Sequence, residues 1–130
     1  MNSLSKEEIL KFGYFRLARN ESFKSNFRVK IGAVLVHGRK PISVGHNIPT
    51  KCNPQIKRFD RFKTLHAEIG ACIGIEKSLL KGSILYVYRE RHDESVAMAK
   101  PCIMCETFLR TYGIKKVFYT IDNGFKMMRL

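Results

Sequence analysis

Two short segments far apart in the chain, His66-Ala67-Glu68 and Pro101-Cys102-Ile103-Met104-Cys105, constrain it more than anything else it carries. One imidazole and two thiols are donors of the softness that suits zinc, and they supply three ligands of a four-coordinate ion. To share one ion the two segments must meet in space. Glu68 is not needed to hold metal; it is needed where a metal-activated water must lose and pass on protons. A lone C-x-x-C says little. With H-x-E upstream and a proline before the first cysteine it becomes a specific pattern.

The periodicity of the chain shows how the segments could meet. Ser5-Lys6-Glu7-Glu8 has the form of a capping box, and the apolar positions from Ile9 to Ala18 predict a helix of about four turns ending near Asn20. Strands are expected over 29–36 and 42–47, joined through His37–Pro41 with Gly38 free to take positive φ. From Ile48 to Lys63 no periodicity survives, and a loop that long points to function. Residues 65–80 read as a second helix with a small side at Gly70, Ala71 and Gly74. Ile84–Tyr88 is a third strand and Arg89–Lys100 a charged excursion. Pro101 opens a third helix over 102–112, with Gly113 as its C-cap. Val117–Ile121, the turn Asp122-Asn123-Gly124 and Phe125–Met128 complete a C-terminal β-hairpin. On this map His66 lies on the first turn of one helix, and Cys102 and Cys105 on the first turn of another. Residues three apart share a helix face, and the positive helix start favours thiolate.

Length and composition fit one domain over residues 1–130, with 45% hydrophobic residues and no repeat or linker. Lys6, Glu7, Glu8 and Lys11 interrupt any apolar run at the N-terminus, and no stretch approaches a membrane span. The expectations are a cytoplasmic location, no membrane partner and reduced cysteines. Net charge is +13, with 14 Lys/Arg against 4 Asp/Glu in residues 1–63. Such a field attracts phosphates, whether on a mononucleotide or along a strand; a basic surface without a specific partner is the plainer alternative.

Taken together, H-x-E…P-C-x-x-C resembles the cytidine/deoxycytidylate deaminase superfamily of zinc-dependent nucleobase deaminases. The likeness runs over roughly residues 28–125: Gly45-His46-Asn47, Leu65–Ile69, Ile84–Val87, Ala99–Cys102 and Tyr112–Val117. It implies a three-layer α/β/α sandwich around a central five-stranded mixed sheet, and hydrolytic loss of the amine from cytosine. His66, Cys102 and Cys105 would match the zinc ligands, one Zn2+ per chain, and Glu68 the proton shuttle serving hydroxide attack at C4. Asn47 would match the asparagine that contacts the sugar, and the backbone of Ala67 would face the base carbonyl. The family often assembles as homo-oligomers. Two departures stand out. The Arg89–Ala99 link is longer than usual, and the hairpin ending resembles free-nucleoside deaminases, whereas Asn47 and the basic loop resemble the nucleotide branch.

Several readings stay open at this level. A structural zinc would need a fourth donor, for which only Cys72 and His92 offer themselves; Cys72 reads as a core residue and His92 as solvated. The basic loop (Arg58, Arg61 and Phe62 among its residues) could hold one phosphate, stack on the bases of single-stranded DNA or RNA, or be a solvated loop. Cys52 reads as a free thiol and His46 as a strand-end residue. Deoxycytidylate or deoxycytidine is the expected substrate. A cytosine in a single strand is the first alternative, and a nucleic-acid-binding module with structural zinc the second.

Overall fold

The computed structural model describes residues 3–26, 29–49 and 64–130; Arg58, Arg61, Phe62 and Cys52 lie outside them. Ser5 does form the capping box, opening α1 (Lys6–Leu10). The expected four-turn helix is broken, however, and α2 (Gly13–Ser22) starts afresh after Phe12, which is extended at φ −77° and ψ 113°. The break lets the Phe12 ring meet Phe125 edge-on, with centroids 5.2 Å apart.

β1 (Lys30–His37) and β2 (Lys40–His46) form an antiparallel hairpin. Its two-residue turn puts Arg39 at φ 67° as well as Gly38 at φ 57°, the pattern of a turn that follows the twist of the strands. A left-handed arginine is unfavourable, and the Tyr14 hydroxyl donating to Arg39 O at 2.6 Å helps hold it. β3 (Ile48–Pro49) pairs antiparallel with β4 (Thr64–Leu65).

The expected second helix is also two pieces, α3 (Ala67–Cys72) and α4 (Lys77–Leu80). Between them Ile73 is extended and Gly74 takes φ +82°, so the chain turns and Ile73 and Ile75 pack back on the core. β5 (Ile84–Glu90) follows, and the charged excursion contains a two-residue strand, β6 (Val96–Ala97), paired with the end of β5. α5 (Ile103–Thr111), β7 (Lys116–Ile121) and β8 (Gly124–Arg129) complete the order.

The main sheet path is β2-β1-β5-β7-β8, with β6 added beside β5. The five expected strands are these five, and the sixth is the departure from expectation. Only β5 and β7 pair in parallel within the sheet, which makes it mixed. Alternation divides the layers: Ala33, Leu35, Leu85 and Val87 face the core under α3 and α5, whereas Val34, Val36 and Tyr88 face Ile9, Phe15 and Ala18 of α1 and α2. The architecture is thus the three-layer α/β/α sandwich. Among the described residues no helix is long and apolar enough to cross a membrane.

Candidate active site

The site assembles where the β3–β4 ladder and the starts of α3 and α5 meet. The Ile48↔Leu65 rung of the β3–β4 ladder holds the residue after Asn47 beside the residue before His66. β2 lies directly on α3: a Cβ at Gly45 would stand 2.5 Å from both Ala67 O and Ala71 N, so only glycine allows that approach. His66 is the N-cap of α3, extended at φ −71° and ψ 146°, and its side chain makes no capping bond. Cys102 is the N-cap of α5, its sulfur accepting from the Cys105 amide at 3.5 Å. The three candidate donors therefore sit at helix starts, with His66 and Cys102 at the N-caps, one residue outside the helical turn where the sequence reading places them.

His66 Nδ1 lies 3.2 Å from Cys105 Sγ and 3.8 Å from Cys102 Sγ. A tetrahedral zinc with usual bond lengths sets nitrogen and sulfur about 3.6 Å apart, between those two distances. All three donor atoms fall within 4.8 Å of one another, and neither Cys72 nor His92 joins the group. Among the described residues the donor set and its spacing fit zinc with one position left over.

Electrostatics differ from the sequence expectation in one respect. Burial pushes the Cys105 thiol well up, and the nearby Glu68 and Cys102 add to the shift. The residue is wholly enclosed in the apolar core, so desolvation outweighs the helix-start field that was expected to favour thiolate. A divalent cation would reverse that balance. Burial lowers the pKa of His66, favouring the neutral imidazole that ligates metals. Glu68, 5% exposed, is pushed by burial up to about 7, where a carboxyl group can both take and give protons. Cys72 is buried beside it and pushed up to about 12 by burial and by Glu68, the behaviour of a core thiol.

Asn47 is committed to the backbone. Its Oδ1 accepts from Ile31 N at 3.1 Å and its Nδ2 donates to Val29 O at 3.0 Å, continuing the β1–β2 ladder by one side chain. Each polar atom keeps one further hydrogen-bonding position, so a ligand contact is compatible with the anchoring. As the first residue of α3, Ala67 has an amide without an intrahelical acceptor.

The spacing of the motifs gave no sign of the brace beneath Cys102. Thr120 Oγ1 donates to Ala97 O at 2.8 Å and accepts from Arg89 N, Arg89 Nη1 donates to Met98 O, and Ala99 N donates to Thr120 O. These bonds fix the segment that delivers Pro101 and Cys102. Nor did it show that His46 is held at 3.0 Å by the buried carboxylate of Glu21 on the far side of the sheet.

A profile of the cytidine and deoxycytidylate deaminase zinc-binding region matches residues 12–121. The chain belongs to that family. No curated protein sequence matches it. Among solved structures, the dCMP deaminase of cyanophage S-TIM5 in apo form is 27% identical, with a TM-score of 0.63 over 91% of this chain and 86% of that one. The same phage enzyme in complex with dCMP and dUMP is 26% identical, with a TM-score of 0.60 over 89% and 82% of the respective chains. Cytidine deaminase of Mycobacterium leprae, 14% identical with a TM-score of 0.57, covers 88% of this chain with 89% of its own and shares the fold.

Proposed function

We propose that this protein hydrolyses the amine from cytosine in deoxycytidylate, or in the corresponding nucleoside, using one zinc ion held by His66, Cys102 and Cys105. The observation that carries the reading is the carboxyl group of Glu68, buried beside a three-donor cluster that leaves one coordination position over. Bound there, zinc would supply a Lewis acid and a water acidified enough to ionise near neutrality. Glu68 takes the proton of the water that adds to C4 and passes it to N3. It then takes the remaining proton of that water, from the new C4 hydroxyl, and gives it to the departing amine, so that the C4–N bond breaks and water plus cytosine become uracil and ammonia. The low exposure of Glu68 keeps bulk water from competing for those protons. Asn47, steadied on β1, reaches the sugar, and the Ala67 amide the base carbonyl. Arg58, Arg61 and Phe62 are proposed as phosphate and base contacts. A phosphate on the substrate accords with the net charge of +13 and with the likeness to the phage dCMP deaminase.

Incubating the zinc-loaded protein with deoxycytidine, deoxycytidylate and a cytosine-containing oligonucleotide, and following uracil, tests the substrate. Turnover of the oligonucleotide alone would overturn the mononucleotide reading, and turnover of none would leave a structural-zinc binding module. Glu68→Ala is expected to keep one zinc per chain while kcat/KM falls by about 10²–10⁴. Near-normal turnover in that variant would overturn the mechanism.

A further inference from the structure

β2 leaves the main sheet at His46. Its ladder with β1 ends at the Gly32↔His46 pair, and Ile48, two residues on, already pairs in the separate β3–β4 ladder. Asn47 stands at that exit, held to β1 by one hydrogen bond from each of its polar groups. Its amide donates to Ile31 O at 3.3 Å, its Oδ1 accepts from Ile31 N and its Nδ2 donates to Val29 O. The strands beneath it are gripped from both faces. Gly45 lies on α3, and Gly32 lies on α2, where an added Cβ would run into Ala18 O and Ser22 N. Side chains alternate along a strand, so with Gly45 facing α3 the His46 ring faces α2.

On α2 it meets Glu21. His46 Nδ1 lies 3.0 Å from Glu21 Oε1, and the other carboxylate oxygen takes Lys24 at 3.1 Å. The Glu21 side chain is 8% exposed and that of Lys24 64%, so the lysine bond is a surface pair of small effect and the histidine bond is the enclosed one. A buried carboxylate is a costly fastener between strand and helix, since an apolar contact of similar volume carries no charge to desolvate. What the carboxylate adds is direction. Its bond fixes the ring of the residue before Asn47, at the point where the ladder stops.

We infer that Glu21 and His46 are a positioning pair for the substrate: the carboxylate fixes the His46 ring, and through it the backbone from which Asn47 reaches the sugar. This rests on the reading of Asn47 as the sugar contact. Glu21 touches no substrate, because the sheet lies between it and α3. The sugar is remote from C4, so its contact is the same before and during the reaction. Loosening Asn47 therefore weakens binding and leaves the chemical step alone.

Steady-state kinetics of the zinc-loaded protein with deoxycytidylate and deoxycytidine, beside hydrogen exchange at the Ile31 amide, test the pair. Glu21→Ala is expected to raise KM about 3–10-fold, the effect of one hydrogen bond, with kcat and zinc content kept and exchange at Ile31 faster. Glu21→Gln, which still accepts from His46, should recover most of both losses, and Lys24→Gln should change neither. Glu21→Ala/His46→Ala should do no more than either substitution alone. A parent-like KM in Glu21→Ala, a fall in kcat with KM unchanged, or additive effects of the two substitutions would overturn the inference. If the parent deaminates neither substrate, or Asn47→Ala leaves KM unchanged, it is the proposed function that fails. Exchange at Ile31 then decides the pair by itself, an unchanged rate in Glu21→Ala overturning it.

Discussion

At the scale of single residues, the site depends as much on what is missing from a side chain as on what is present. Gly45 permits β2 to touch the backbone of α3, and any larger residue meets main-chain atoms that cannot swing aside. Gly45→Ala should therefore force β2 and α3 apart, cost about 1–3 kcal/mol and weaken zinc retention, because His66 begins the displaced helix. Thermal unfolding and metal analysis after dialysis check both effects; unchanged zinc content with normal stability would contradict the packing argument. The clustering of His66, Cys102 and Cys105 was legible from residue type and spacing, since donor softness and the three-residue interval are properties of the sequence. The reason for Gly45 was not, because it lies in a contact between segments that no local pattern encodes. Cys105 shows the same limit. Its place at a helix start was readable, but its burial, which decides the thiol's acidity, was not.

At the scale of elements, the five long strands were readable as apolar, β-branched runs bounded by turn residues, and their observed ends differ from expectation by two residues or fewer. The helices were less so. Apolar positions ran on through Phe12 and through Ile73, yet both are extended, since each ring or chain is recruited by tertiary contacts rather than by the helix. What ties the broken N-terminal layer to the sheet is Glu90 at the end of β5. Its Oε1 accepts from the Tyr88 hydroxyl at 2.7 Å, from Lys6 at 2.9 Å and from Arg19 at 3.1 Å. Burial raises the pKa of Glu90, but the bonds from Lys6, Tyr88 and Arg19 outweigh it and hold the carboxyl below its ordinary value. A depressed folded pKa means stability that is fully present above the unfolded pKa and disappears as pH falls through the folded one. Glu90→Gln should cost about 1–3 kcal/mol at neutral pH. It should also flatten the acid limb of the stability profile below the ordinary carboxylate range. Denaturant titrations of both proteins at several pH values show this, and parallel profiles would count against the clamp.

At the scale of the whole molecule, three layers and a mixed sheet followed from the order of strand and helix patterns together with the family resemblance. The added β6 did not, because two residues carry no periodicity. The three donors proposed for zinc sit at the starts of two layer-forming helices that otherwise touch through the core, so a metal bound there should stabilise the assembled fold as well as enable chemistry. Removing zinc with a chelator is expected to abolish deamination and lower the unfolding temperature, with both restored by one equivalent of zinc. Activity surviving complete removal would refute a metal-dependent reaction.

The one parallel pairing in the main sheet, β5 with β7, has a consequence for how the molecule is made. Its crossover carries Cys102 and Cys105, whereas His66 precedes β5 in the chain. A parallel pair closes only after the whole connection has been laid down, and such non-local contacts come late in folding. During synthesis the imidazole emerges well before the thiols, and the thiols before the strand that locks them in place. Until β7 docks, both cysteines are open to oxidants and to competing metals, so the oxidation state of the new chain in that interval decides whether a working centre can form.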